Sequence, residues 1–400
     1  MPKSAEHHGE SIWPAPGWLA RELAAAGGRL PWRRMMELAL YDPEHGYYSR
    51  PERRIGRGGD FFTSVSVGPM FGWLLAMQAV EVWRRLERPG RFRVVEQGAH
   101  DGRAAADLMA GLTALEPELA GLVEYAVVEP RESWRSALAA RLEPVLGRRL
   151  RLVERWGDLA AYGDGPWPGM IWSNELVDAF PVERLRWSGP AGHWRQLGVE
   201  LVAGAGPGGA AGLQWCDLGP FDGGQPLPPA PADGWETEAA PALHEWVAEV
   251  AAAGWSGLWL TIDYGGGTAE RWQPGREAGS LRRFSGHQRD DDLLAGLGES
   301  DLTADVDFTE LARATEAAAG LRTLGPCDQG GYLTRLAAPW LRELEAGAGS
   351  GAPVPAGVWQ RQLATLLHPG WMGRRFKVLG AVSAELGSDG WRGFGGGWAA

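Results

Sequence analysis

The run Arg93–Arg103, RVVEQGAHDGR, constrains the fold of this chain more than any other stretch. A short apolar strand (Val94, Val95) ends in Glu96, a turn bounded by Gly98 and Gly102 follows, and AAADLMAGL continues with a helical pattern. A strand with an acidic end, a glycine turn and a helix is how a doubly wound sheet places a nucleotide-like ligand at the carboxyl end of its first strand. His100 stands where the usual run has its middle glycine, so the turn alone is a weak signal.

The stretches after it repeat the same unit. Strand Arg93–Glu96 and a helix to Leu115 lead to strand Glu124–Val128, ending at Glu129; a helix from about Arg131 that Pro144 stops leads to strand Leu150–Val153, and strand Met170–Trp172 runs into SNELVDAFP. Strands alternating with helices of this length predict right-handed βαβ units and a mostly parallel sheet. Ahead of this core, Trp18–Leu40 reads as helical with a break at Pro31, a Gly-rich loop carries GRGGDFFTS, and Gly68–Leu86 reads as a helix. Beyond Val182 the pattern changes to short antiparallel strands at Arg184–Trp187, His193–Leu197 and Val199–Val202, with GAGPGGAAG and GGQPLPPAPADG as loops. Helix Ala242–Ala253, strand Gly257–Ile262, helix Phe308–Ala319, strand Leu321–Leu324 and a terminal strand Phe376–Ala381 then complete the sheet. The expected organisation is an N-terminal helical region over 1–90, a core over 91–185 and 255–400, and an inserted β-rich segment over 186–254 that serves a substrate or partner.

Composition narrows the partners. With 50 Asp+Glu against 39 Lys+Arg the chain is net acidic, which argues against a nucleic-acid or anionic-membrane partner. Basic patches are local: Arg53, Arg54 and Arg57 in the Gly-rich loop, and Arg374, Arg375 and Lys377 near the C-terminus. The two cysteines, Cys216 and Cys327, have no metal-ligand spacing, and nothing requires a metal. No run approaches about 18 apolar residues and the N-terminus lacks an apolar h-region, so a cytoplasmic protein without a membrane span is expected.

Several residues are placed for chemistry. Glu129, at the end of the second strand, suits hydrogen bonding to ribose hydroxyls, a device shared by NAD and S-adenosylmethionine enzymes; as a helix N-terminal carboxylate it also has a purely structural reading. Asp60 and Thr63 lie in a glycine-dense loop just ahead of a helix, where backbone N–H groups and a carboxylate can meet a ligand. An NAD-dependent dehydrogenase is disfavoured, because a clean GxGxxG and a hydride-transfer pair are both missing.

The ordered set YDPEHGYY, GRGGDFFTS, EQGAHDG, SNELVDAFPVERL, LTIDYG, DLTADVDF, GPCDQGGYL and FKVL resembles the MidA-type class I S-adenosylmethionine-dependent methyltransferases, which include a mitochondrial protein arginine methyltransferase. The resemblance implies a seven-stranded, Rossmann-like α/β sheet with an N-terminal helical region and an inserted segment. It implies S-adenosyl-L-methionine as cofactor and a protein arginine as acceptor. It matches Glu96, Gly98 and Gly102 to the cofactor turn, with His100 a cofactor-side residue where the family has glycine, and Glu129 to the ribose acid, and makes the loop with Gly59, Asp60 and Thr63 a cover on the cofactor side. It also matches Asn174, Glu175 and Asp178 to the motif that holds the methyl acceptor. Carboxylates at 175 and 178 suit a guanidinium, whose planar N–H fork they can clamp. Asp263, His287 and Asp301 are further candidates on the acceptor side. An imidazole at 100 adds a Cβ that costs about 1 kcal/mol at positive φ and crowds the cofactor, and Gln97 brings a polar group to the strand end. Those two departures leave a second class of function open: a catalytically weak assembly factor with this fold.

Overall fold

The computed structural model describes residues 12–49, 63–162, 166–204, 207–223, 227–285, 288–318, 320–347 and 355–395. Asp60, Gly59 and His287 lie outside the described residues.

Helices α1 (Gly17–Ala25), α2 (Trp32–Tyr41) and α3 (Met70–Arg85) precede the sheet. Pro31 caps α2, where its fixed φ suits a helix entry. Every residue of α3 from Met70 to Trp83 is buried, as its nearly continuous apolar sequence requires of a helix inside the core.

The central sheet follows in βα units: β1 (Phe92–Gln97), α4 (Arg103–Leu115), β2 (Val123–Val128), α5 (Glu132–Leu146), β3 (Leu150–Val153) and β4 (Trp167–Asn174). β1 pairs in parallel with β2, Val95 opposite Ala126, and with β4, Val95 opposite Ile171. Strands flanked on both sides are covered on both faces, and five of the six residues of β1 and of β2 are fully buried. The chain builds β2 and β3 on one side of β1 and then crosses to β4 on the other. That reversal opens a crevice beyond the carboxyl ends of β1 and β4, where α/β sheets bind ligands.

A second, antiparallel sheet comes next: β5 (Glu183–Ser188), β6 (His193–Val202), β7 (Gly212–Pro220) and β8 (Glu236–Ala239). Two N-terminal strands join it, Trp13–Pro14 on β7 and Arg29–Pro31 on β6. The strand break expected at Gly198 is a close approach instead: a Cβ there would lie 2.5 Å from the Leu30 carbonyl oxygen, so β6 runs unbroken past the added strand. β7 was hidden in the sequence between two Gly/Pro-rich runs.

Helix α6 (Pro241–Ala252) returns to the central sheet, its Leu243, Trp246, Val247 and Val250 packing with Val95, Ile171 and Trp259. β9 (Trp255–Gly266) pairs in parallel with β4; α7 (Phe308–Ala317), β10 (Leu321–Asp328), α8 (Gln329–Glu345), α9 (Ala356–Leu367) and β11 (Phe376–Ser383) complete the chain. The main strands run β10-β11-β9-β4-β1-β2-β3, with β11 antiparallel to both neighbours. This is the seven-stranded α/β sheet expected, and a short strand, Val306–Asp307, adds to the end of β9. Pro144 does not stop α5, which continues to Leu146 and ends at Gly147, φ 52°; so near the C-terminus its missing N–H removes only one late hydrogen bond.

Candidate functional site

A cleft of about 740 Å³ opens at the crevice, within the range of small-molecule sites. Its floor is the turn after β1. Gly98 (φ 80°) and Gly102 (φ 73°) hold left-handed conformations that glycine adopts without strain. A Cβ on Gly102 would also press on Leu138 and Leu142 at 3.1–3.2 Å, so this glycine lets α4 start against α5.

Glu96 is buried beneath the turn and accepts a hydrogen bond from the Tyr125 hydroxyl at 2.7 Å. Burial pushes its carboxyl up to about 8, against the pull of that hydrogen bond. Glu129 follows β2; its N–H donates to the Val153 carbonyl (2.9 Å) and its carboxylate accepts from the Arg131 N–H (3.0 Å). Burial raises the Glu129 carboxyl too, while the Arg131 N–H and guanidinium oppose the shift. Thr63 lines the cleft from the opposite side, sharing a hydroxyl contact of 2.8 Å with Ser66.

His100 keeps a left-handed backbone, φ 45°, and its ring packs at 5.2 Å from Trp134. It lines the cleft, and its buried Nε2 has no hydrogen-bond partner among the described residues. Burial lowers its pKa below the ordinary imidazole value, outweighing the opposing attraction of Asp101. Gln97, the other departure in the turn, has its side-chain oxygen doubly engaged: Oε1 accepts from the indole N–H of Trp156 (2.9 Å) and of Trp246 (2.7 Å). Trp246 in turn packs edge-on against Phe180, a wall of the cleft.

The far end is acidic. Asn174 and Glu175 line the cleft where β4 ends. Glu175 has φ 52°, uncommon outside glycine, and its Oε1 accepts from Asn174 Nδ2 (2.8 Å) and the Ser64 N–H (3.1 Å). Burial pushes its carboxyl up to about 8, with Asp263 adding to the shift against the Asn174 hydrogen bond. The Asn174 Oδ1 is buried without a partner among the described residues. Asp178 is not brought to the cleft wall: it sits buried in the turn behind Glu175, raised well above the carboxylate range by burial, then by Asp263 and Asp301. Asp263 is fully buried and organises backbone: Oδ2 accepts from the N–H groups of Leu176, Val177 and Asp178 at 3.1, 2.8 and 3.3 Å, and Oδ1 from that of Tyr264 at 2.8 Å. Burial pushes its carboxyl up to about 7 despite those donors.

Sequence reasoning did not single out the side chains of the near wall. Tyr48 donates to Asp301 (2.8 Å), Tyr41 donates to the Ala179 carbonyl (2.9 Å), and their rings stack at 5.7 Å. Arg131 donates to the Tyr41 carbonyl (2.7 Å) and to the Ser49 hydroxyl, and Trp134 to the Tyr48 carbonyl (3.0 Å), tying this wall to the Glu129 end. The signal was present, since both tyrosines belong to the YDPEHGYY motif.

The residues present suit S-adenosyl-L-methionine. The glycine turn admits a ligand to the backbone, Glu129 lines the cleft where β2 ends, and two buried polar atoms of cleft-lining residues, His100 Nε2 and Asn174 Oδ1, have no partner among the described residues.

Comparison with known proteins agrees. The profile of an S-adenosyl-L-methionine-dependent methyltransferase family matches residues 74–327. The chain is 26% identical over 398 residues to the mitochondrial protein arginine methyltransferase NDUFAF7 homolog of Drosophila melanogaster, across 92% of this chain and 87% of that one. It is 28% identical over 330 residues to mitochondrial NDUFAF7 of Mus musculus, across 75% and 69%. A crystal structure of a COG1565 superfamily protein from Burkholderia thailandensis, bound to S-adenosyl-homocysteine, superposes with a TM-score of 0.73 at 27% identity, across 94% of this chain and 96% of that one. The mitochondrial names of the relatives contradict the cytoplasmic location expected from the N-terminus. Mitochondrial targeting segments are amphipathic rather than apolar, so an h-region is not the feature that would report on them. The chain belongs to the S-adenosyl-L-methionine-dependent methyltransferase family, and S-adenosyl-L-methionine is its cofactor.

Proposed function

We propose that this methyltransferase acts on the guanidinium of an arginine in a protein substrate. The observation that carries the reading is Glu175: a carboxylate at the acceptor end of the cleft, on a strained left-handed backbone, with one oxygen already fixed. Strain of this kind persists where the surroundings over-determine it, and clusters at functional sites. Asn174 and the Ser64 N–H both hold Oε1, which leaves Oε2 to accept from the acceptor's N–H fork. An arriving guanidinium would also restore the ionised form that burial disfavours. The names of the relatives point the same way.

Bound S-adenosylmethionine supplies a methyl group already activated by its sulfonium, so the protein has to orient the acceptor, exclude water and remove one proton. In this reading Asn174 orients Glu175, and Glu175 clamps the guanidinium and receives its proton. Asp178 serves behind it, as part of the buried acidic backing. The turn Glu96–Gly102, with His100 included, and Glu129 hold the cofactor; Tyr41 and Tyr48 close the wall. Thr63 covers the cofactor side.

The test is transfer of labelled methyl to lysate proteins, with the labelled residue identified after acid hydrolysis. Label on methylarginine that is lost in Glu175→Ala supports the reading. Label on another residue, or transfer undiminished in the variant, sinks it.

A further inference from the structure

Among the described residues only three large apolar side chains are exposed, the most exposed being Trp371 at 62%. It belongs to the turn Pro369–Gly373, between α9 and β11. The next residue, Met372, is buried and receives the Ser64 hydroxyl on its sulfur at 3.9 Å. Ser64 is also the residue whose N–H holds Glu175, and its neighbours Thr63 and Val65 line the cleft. The turn is rigidly seated: a Cβ on Gly330, at the start of α8, would lie 3.1 Å from the Gly373 Cα. His368 packs against the indole at 5.2 Å and accepts the Gly370 N–H at 3.1 Å. An exposed tryptophan on a fixed turn keeps apolar surface in water that a binding partner would bury.

The charge next to it is specific. Arg374 and Arg375 follow immediately, both exposed and without a carboxylate partner among the described residues, whereas Lys377 is held by Asp328 at 2.6 Å. The Arg375 carbonyl accepts from the Gly265 N–H at 3.5 Å, and the neighbouring Tyr264 hydroxyl feels both Arg375 and Glu175. This basic pair thus borders the acidic end as a rim, on a chain whose net charge is −11.

We propose that Trp371, Arg374 and Arg375 form the docking surface for the protein substrate, taking an extended segment in which acidic and apolar residues flank the acceptor arginine. The inference rests on the protein-arginine reading above. The pocket draws in one guanidinium, while the rim repels further cations; an arginine/glycine-rich segment is therefore disfavoured and an acidic one selected. The apolar flanking residue packs on the indole.

The experiment is fluorescence anisotropy with the full chain and a labelled peptide carrying one arginine among Glu, Asp, Leu and Phe, against its counterpart with Lys replacing the acids. The expected result is binding of the acidic peptide about tenfold tighter than the lysine peptide, although the overall charge of the chain favours the latter. Trp371→Ala weakens the acidic peptide about tenfold, and Arg374→Glu/Arg375→Glu reverses the preference. Equal binding of the two peptides, a preference for the lysine peptide, or acidic-peptide binding unchanged in Trp371→Ala overturns the proposal, as does preferential capture of a single-stranded RNA. Binding is read without turnover, so the two readings separate: acidic-peptide binding as expected together with lysate label on a residue other than arginine sinks the arginine reading and leaves the docking surface standing.

Discussion

The cofactor end of the cleft is held largely by backbone, and the acceptor end by side chains drawn from distant parts of the chain. At the first, Gly98 and Gly102 shape one turn between a strand and a helix, and Glu129 is fixed by a residue two positions away. At the second, Glu175 depends on Ser64, the Val177–Ala179 turn on Asp263, and the wall on a Tyr48–Asp301 pair. The electrostatics differ in the same sense. Burial raises Glu96 and Glu129 as it raises Glu175 and Asp178, but at the acceptor end Asp263 and Asp301 crowd the same two carboxyls, so a cation is favoured there. The cofactor end offers a shape; the acceptor end offers crowded carboxyls whose ionised form a cation would restore.

If the two ends are separable in this way, Glu175→Gln removes chemistry and spares cofactor binding. Methyl transfer should fall by about 10²–10³, the usual cost of losing one preorganised polar group, while calorimetric affinity for S-adenosylmethionine stays within about twofold. A parallel loss of cofactor affinity would break the comparison. The pH dependence sharpens it. Glu96 and Glu175 titrate near 8 in the folded chain against 4.5 in the unfolded one, so between these values the folded state binds more protons. Their contribution to stability is present below the unfolded pKa and is lost as pH rises toward 8. The melting temperature of the cofactor-free protein should fall over that window, less steeply in Glu175→Gln; an unchanged slope would show that Glu175 does not titrate there.

Gln97 tests the border between the ends. Replacing it with Leu strips the acceptor from two indole N–H groups at once, and leaving buried donors unpaired costs about 1–3 kcal/mol each. A loss of about 2–3 kcal/mol in urea unfolding is expected. A neutral result would mean that water replaces the amide.

The same contrast explains what the sequence disclosed. The cofactor end was legible because its requirements are local: an acid at a strand end, glycines at left-handed positions and an acid after the next strand all fall within one repeating unit. The sheet was legible for the same reason, since buried parallel strands write themselves as short apolar runs. The acceptor end was half legible. SNELVDAFP marked the place, but composition could not tell that Glu175 faces the cleft while Asp178 sits behind it, because Asp263 sets that turn from 85 residues away. Helices α8 and α9 escaped because Pro339 inside one and polar faces on both blurred their periodicity. Pro144 was over-read for the opposite reason: a proline breaks a helix only where enough helix remains to break.

Glu129→Ala should act at the cofactor end alone. If Glu129 takes the proposed ribose role, its removal is expected to weaken cofactor binding about tenfold or more by calorimetry. Transfer at saturating cofactor should be nearly retained; a fall in saturated rate as large as that of Glu175→Gln would place Glu129 in the chemistry instead.

His100→Gly should give the smallest effect, because two terms oppose. Glycine relieves a left-handed backbone at φ 45°, worth about 1 kcal/mol. It also removes an imidazole whose Nε2 lies buried without a partner in the cleft, a group that a bound ligand would satisfy for about 1 kcal/mol. If His100 contacts the cofactor, affinity falls a few-fold in His100→Gly and further in His100→Ala, which keeps the strain and loses the contact. A gain in affinity in the glycine variant would make the imidazole an obstruction. Burial holds this imidazole below its ordinary pKa, so near neutral pH it is uncharged and the contact is a hydrogen bond rather than an ion pair. The ratio of wild-type to His100→Ala affinity should then stay flat from about pH 6.5 to 8; a ratio that collapses as pH rises would show that His100 binds as a cation, and would move it from the shape-built end of the cleft to the charge-built one.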